Sequence, residues 1–300
     1  MGFWIHVAVS CGLFSLLALG LNLILRSGVY SIASAAFYMI GAYSTGIGTV
    51  RLGLSPIVSI LAGTLISAVF GFACIAPAFR VRQDRLLVLT LGFAEALRLV
   101  FVNWTSLTNG SMGISGIPPL SIFRIKIYSD SLFFIFLIWM CVIFMLLISS
   151  ILFHSPWGLR LDGSRENEIV SYILGISPVT NRYLAHTAGA IVSSLAGSLY
   201  AHHIGFISPS PFSFVLSVYV LTAVVLGGIG SPQGAIFASI FIGFTQPVLQ
   251  LIGISSFYAT VIRQLIFGLV LIGIILWLPE GFYKKNSGYR RIGELSNGKY

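Results

Sequence analysis

Between Arg182 and Arg263 not one residue carries a formal charge. No single helix accounts for so long an uncharged stretch, because about 20 apolar residues already cross a bilayer. The stretch must cross more than once, and its breaks are visible: GFISPSPFS at 205–213, GGIGSPQG at 227–234 and GISS at 253–256 are rich in residues that end helices. The rest of the chain is of the same kind. Charged residues are 8% of the total and hydrophobic ones 57%, too few polar groups to cover a soluble surface. Aromatics at 13% exclude a disordered chain as well.

The pattern predicts an all-α, polytopic transmembrane bundle of about nine spans, placed at 3–25, 29–50, 54–79, 86–102, 132–153, 183–204, 214–226, 235–252 and 257–278. The seventh is short for a crossing. Residues 1–283 form one transmembrane domain and 284–300 a basic tail. Residues 1–25 lack the basic segment that opens a secretory signal, so the first span is expected to be retained.

The net charge of +9 would suggest nucleic acid in a soluble domain, but short loops of membrane proteins gather Lys and Arg on the cytoplasmic side. Nine alternating crossings put Arg26, Arg80, Arg82, Arg85, Arg160, Arg165, Arg182, Lys284, Lys285, Arg290, Arg291 and Lys299 on one side and only Arg51, Arg124 and Lys126 on the other. This sets the N-terminus outside and the C-terminus inside, with no nucleic-acid partner. Two extramembrane segments remain. The external one, 103–131, is rich in Gly, Ser, Asn and Pro, as a surface loop or short re-entrant element is; the internal one, 154–182, reads as a turn and a short amphipathic helix around 165–174.

Few residues point to chemistry. GELSNGKY at 293–300 has the spacing of a phosphate-binding loop, but Tyr300 stands where Ser or Thr is needed and no strand precedes it, so a solvated tail is expected. His202 and His203 have no Cys, Asp or Glu beside them and read as structural; no metal site and no catalytic set appears. Cys11, Cys74 and Cys141 lie in apolar runs and read as buried thiols. Glu95 and Arg98, three apart on one helix face, either neutralise each other to fix helix packing, the favoured reading, or line a translocation path. Gln246 and Gln250 flank Pro247, whose missing N–H frees a carbonyl; the amides either repair it or meet a polar solute. Ala185, Gly189, Ser193, Gly197, Ala201 and Gly205 recur every four residues and form a helix-packing face, expected to serve the chain's own bundle. SGVYSIASAAFYMIGAY at 27–43 and GGIGSPQGAIFASIFIGF at 227–244 are loosely alike, a trace of a weak internal repeat.

In order along the chain, GLNLILRSGVYSIASAAFYMIGAY at 20–43, RLLVLTLGFAEALRLV at 85–100, NGSMGISGIPP at 109–119, SRENEIVSYILGI at 164–176, GFISPSPFSFVLSVYVLTAVVLGGIGSPQG at 205–234 and FGLVLIGIILWLPEGF at 267–282 resemble the permease subunits of ABC importers for branched-chain amino acids. The resemblance covers most of the chain. It implies a non-enzymatic permease in the cytoplasmic membrane of a prokaryote, with a second homologous permease, two cytoplasmic ATPases that bind ATP and Mg, and an external solute-binding protein near 103–131. No cofactor is implied on this chain. The segment with Gly158, Arg160, Arg165, Glu166, Glu168 and Gly175 would be the coupling helix, its charges facing the ATPase. Thr90, Glu95, Arg98, Gln246 and Gln250 would be polar groups on the substrate path.

This chain departs from the family pattern at Leu159, Gly163 and Ser164, with Asp162 between them. A Gly inside a helix costs about 1 kcal/mol relative to Ala, so the coupling helix is expected to begin after Ser164, with Ser164 as its cap and Asn167 where a capping box would place Glu or Gln. Similar permeases carry urea or short amides, which leaves that solute class open beside an ATP-independent carrier or channel. A membrane enzyme has no reactive residue set to support it.

Overall fold

The computed structural model describes residues 2–76, 83–122, 125–129 and 131–251, with a few positions between 262 and 273. Eleven α-helices lie in this range. The long ones are α1 (Gly2–Arg26), α3 (Pro56–Ile75), α4 (Gln83–Asn103), α6 (Leu132–His154), α9 (Pro178–Ile204) and α11 (Pro232–Leu251). The shorter are α2 (Ser34–Gly46), which continues as a π-helical turn Ile47–Arg51, α5 (Thr105–Thr108), α7 (Pro156–Glu166), α8 (Glu168–Ile173) and α10 (Phe214–Gly227). In α1, α3, α6 and the Leu86–Asn103 stretch of α4, length and apolar composition suffice to cross a membrane.

Eight of the nine expected segments are helical, with shifted ends. The second begins at Ser34, five residues late, because 27–33 is a buried irregular segment. The seventh is short as expected, 14 residues against the roughly 20 of a full crossing. The ninth span, a few positions between 262 and 273 apart, and the tail 284–300 lie outside the described residues, as does Arg263. The segment 103–131 is not plain loop: β1 (Ile114–Ser115) pairs antiparallel with β4 (Phe206–Ile207), and β2 (Leu120–Ile122) with β3 (Ile125–Ile127).

Helix α9 is the hub, packed on α1, α2 and α3. Its small residues let backbones meet. A Cβ on Gly197 would land on the Tyr38 carbonyl of α2, and one on Gly41 on the Ser194 carbonyl of α9. Gly189 abuts Gly20 and Ile24 of α1, with Ser193 beside Gly20. Ala185 and Ala201 are fully buried, and Gly205 ends the helix with a positive φ. Hydrogen bonds cross the same contacts: Ser198 Oγ donates to the Gly41 carbonyl at 3.1 Å and Ser67 Oγ to that of Ala190 at 2.9 Å. At the far end of α9, His203 Nε2 shares a 2.8 Å hydrogen bond with His6 Nδ1 of α1, and His202 Nδ1 meets the Pro118 carbonyl at 2.8 Å.

Replacing Gly197 with Ala should therefore destabilise the subunit by about 1–3 kcal/mol through overpacking. Thermal unfolding in detergent checks this against Gly92→Ala, where among the described residues no atom beyond the helix's own backbone lies within 4 Å of the added methyl. Equal melting temperatures for the two variants would contradict the assigned contact.

Candidate coupling site

At the end of α6, Ser155 is extended and caps a reversal of direction, and Pro156 occupies the first turn of α7, where a missing N–H costs nothing. A Cβ at Gly158 would strike the Phe153 carbonyl, so only Gly lets α7 fold back this tightly. Helix α7 then runs straight through Gly163 and Ser164, which corrects the expected cap. Ser164 is buried inside the helix; its hydroxyl donates to the Arg160 carbonyl at 2.7 Å and accepts from Asn181 Nδ2 at 3.1 Å. The true cap is Asn167, whose side chain accepts from the N–H groups of Ile169 and Val170 at 3.0 and 3.1 Å and starts α8. Gly175, at φ +75°, closes α8: its own N–H reaches the Tyr172 carbonyl, and that of Ile176 the Ser171 carbonyl.

Two ion pairs fasten this hairpin to the bundle. Arg26, at the end of α1 and 2% exposed, donates to both oxygens of Asp162 at 3.0 and 2.8 Å and to the Phe153 carbonyl at 3.1 Å. Its Cζ stands 4.1 Å from the Phe153 ring centroid. Arg182, buried on α9, donates to both oxygens of Glu168 at 3.2 and 3.0 Å. Each Arg is planar and bidentate, so each pair fixes orientation as well as distance. These anchors explain why α7 tolerates its Gly: the Asp162 contact and the reversal at Pro156 outweigh a cost of about 1 kcal/mol.

What remains exposed is mixed in character. Arg160, Arg165 and Glu166 face outward, whereas Glu168 is engaged by Arg182 within the chain. The tip of α8 is apolar: Ile169, Tyr172, Ile173 and Leu174 are 73%, 51%, 79% and 70% exposed. Beside it a cleft of about 340 Å³ is lined by Arg160, Gly175, Thr180 and Asn181 among others. Sequence reasoning missed Arg26, Asp162 and Arg182 as anchors and the apolar tip. Arg26 and Asp162 are 136 positions apart, so no local pattern joins them.

The other sequence-derived residues lie away from this site. Thr90 is fully buried, donating to the Leu87 carbonyl at 3.0 Å and accepting the Ile32 N–H at 3.1 Å. Glu95 and Arg98 form an ion pair on α4, with Arg98 Nε 3.0 Å from each carboxylate oxygen. Gln246 and Gln250 lie on α11, but their side chains fall outside the described residues.

The sequence pattern of the branched-chain amino acid transport system permease component matches residues 3–275. The chain is 30% identical to the high-affinity branched-chain amino acid transport system permease protein LivM of Salmonella typhimurium, over 92% of this chain and 69% of that protein. It is 25% identical to LivH of the same organism, over 89% and 90%. Similarity extends to the guanosine ABC transporter permease protein NupQ of Bacillus subtilis, at 26% identity over 76% and 75%. With its apolar helices, its mostly helical bundle and a family pattern over residues 3–275, the chain is a multi-pass membrane protein that belongs to the branched-chain amino acid transport permease family.

Proposed function

We propose that this chain is one of two permease subunits of an ATP-driven importer, carrying branched-chain amino acids inward across the cytoplasmic membrane of a prokaryote. The observation that carries the reading is the doubly anchored α7–α8 hairpin with an apolar tip, in a chain of this family. Such a hairpin suits a protein surface that moves: it is rigid within itself, fastened to α1 and α9, and apolar where it projects. Two cytoplasmic ATPases, which bind ATP and Mg, would receive the tip, and their closure would drive the bundle between inward and outward openings. The permease itself makes and breaks no covalent bond.

Similarity to both LivM and LivH supports a second, homologous permease. The nine-span topology with the N-terminus outside draws support from the basic residues. Arg26, Arg160, Arg165 and Arg182 gather at the end that carries α7 and α8. Arg51 lies against 103–131, donating to the Ser106 carbonyl. That segment is our choice for the face that meets the solute-binding protein.

Reconstitution with co-purified partners in liposomes tests the solute. Uptake of labelled leucine that requires both ATP and binding protein is expected; uptake of urea or guanosine alone would keep the architecture and replace the solute, and uptake without ATP would overturn the reading. For coupling, the I173D variant should insert normally yet lose most solute-stimulated ATPase activity, and reversing Arg165 and Glu166 should reduce it less. Full coupled activity in I173D would remove the apolar tip from the mechanism. Asp162→Ala leaves the buried Arg26 unpaired and should cost about 3 kcal/mol, the low end for a broken buried pair because Asp162 is one quarter exposed. Detergent melting and the ATPase-to-uptake ratio should both fall; a variant as stable as the parent would show that the anchor is dispensable.

A further inference from the structure

The cleft beside the hairpin has a volume of about 340 Å³, within the range of roughly 300–1,000 Å³ that small-molecule sites occupy. Arg160 of α7, Leu174 and Ile176 of the link after α8, and Ser177, Thr180 and Asn181 at the start of α9 line it. Two kinds of donor are on offer. Arg160 is exposed and forms no ion pair among the described residues, whereas Arg26 and Arg182 spend their charges on Asp162 and Glu168. The Ser177 and Thr180 hydroxyls share one hydrogen bond at 3.1 Å, which leaves one of their two hydrogens free to donate. Both stand at the N-terminal end of α9, where the helix dipole favours an anion.

The acceptor is Asn181, which is 6% exposed. Its Nδ2 donates to Ser164 Oγ at 3.1 Å, which fixes the amide, while its Oδ1 accepts no hydrogen bond among the described residues. A largely buried acceptor left without a donor is unfavourable, so the cleft suits a ligand that brings one. Leu174 and Ile176 add a branched aliphatic wall. Donors for an anion, a fixed acceptor and an aliphatic wall match an α-amino acid with an apolar side chain. Urea and short amides carry no charge for the guanidinium. Segments 77–82 and 279–300, expected on the same side, bring an excess of Lys and Arg over Glu, a like charge to Arg160.

We propose that this cleft is a second site for the transported amino acid, with its carboxylate on Arg160 and the free hydroxyl, its ammonium on Asn181 Oδ1 and its side chain against Leu174 and Ile176. This rests on the branched-chain importer reading above, which puts the hairpin end in the cytoplasm. The cleft there meets the solute only after release. An amino acid bridging α7 and α9 adds a third tie between hairpin and bundle and opposes movement of one against the other, so accumulated product slows further import.

The test uses the complex with its natural partners in liposomes, with ATP inside. Preloading with unlabelled leucine should lower the initial rate of labelled leucine uptake several-fold. Acetate or isoamylamine, each lacking one of the recognised groups, should not. In Arg160→Gln, measured against the same variant in empty vesicles, the inhibition should vanish. Labelled leucine should also bind the purified complex, without ATP or binding protein, about tenfold more weakly in Arg160→Gln and in Asn181→Leu, a loss of about 1.4 kcal/mol. Binding and inhibition as strong in Arg160→Gln as in the parent overturn the proposal, as does a parent that shows neither. If empty vesicles take up no leucine while the complex binds it through Arg160, the transport reading falls and the amino-acid site stands. Uptake without Arg160-dependent binding keeps the transport reading and removes the site.

Discussion

Lipid supplies no hydrophobic drive between helices, so a membrane bundle depends on how closely backbones can meet and on the hydrogen bonds that cross the contact. Here that constraint falls on α9. Backbone contact at Gly197 and Gly41, and at Gly189 and Gly20, brings α1 and α2 against one helix, and the Ser198 and Ser67 hydroxyls bridge to neighbouring carbonyls at the same places. The less apolar α9 therefore lies at the centre beside the buried α1, and the apolar α3 and α6 lie toward the rim. His186 belongs to the same scheme: fully buried, it meets the Gly71 carbonyl of α3 at 2.9 Å and the Ser31 hydroxyl at 3.3 Å.

Such a centre can hold backbone that is not helical. Residues 27–33 are irregular and largely buried, a state tolerated at membrane depth only where protein satisfies the free N–H groups. Thr90 accepts from Ile32, Ser31 from Ala33 and, at the start of α2, Ser217 from Ala35 at 3.1 Å. Thr90 is thus committed to backbone on both its donor and one acceptor side. Ser217, which drew no notice in the sequence, has the equivalent duty from α10.

That the uncharged runs form apolar helices, four of them long enough to cross a membrane, was legible because runs of this length have no soluble surface to lie on. Their ends were less so, since Val29 and Ile32 are as apolar as any helix residue and only Ser27-Gly28 hinted at the irregular start. The β1–β4 pairing joins two-residue strands from distant parts of the chain, too short to leave an alternating pattern. That 154–182 holds a turn and a short helix was legible, but its construction was not. A helix penalty at Gly163 is a local quantity, whereas the Arg26–Asp162 contact that outweighs it is tertiary. The exposed Ile169 and Ile173 escaped notice for a related reason: periodicity assigns apolar residues to an inward face, and here they project outward.

The two anchors of that hairpin end on different helices, and this determines what a push on α8 can do. Glu168 passes force to α9 through Arg182, and Asp162 passes it to α1 through Arg26. Helices α1 and α9, of 25 and 27 residues, are each about 40 Å long and run to the opposite end of the bundle. There the His6–His203 hydrogen bond joins them again, and His202 ties α9 to the 103–131 segment at Pro118. Between these points the close contact of Gly20 with Gly189 opposes sliding, because a packed interior has no slack to absorb it. The pair is consequently braced at both ends and between them. Helices with little intrachain cover are held by fewer such contacts, and α4, whose spanning stretch is 11% buried, has the least cover among the candidate spans.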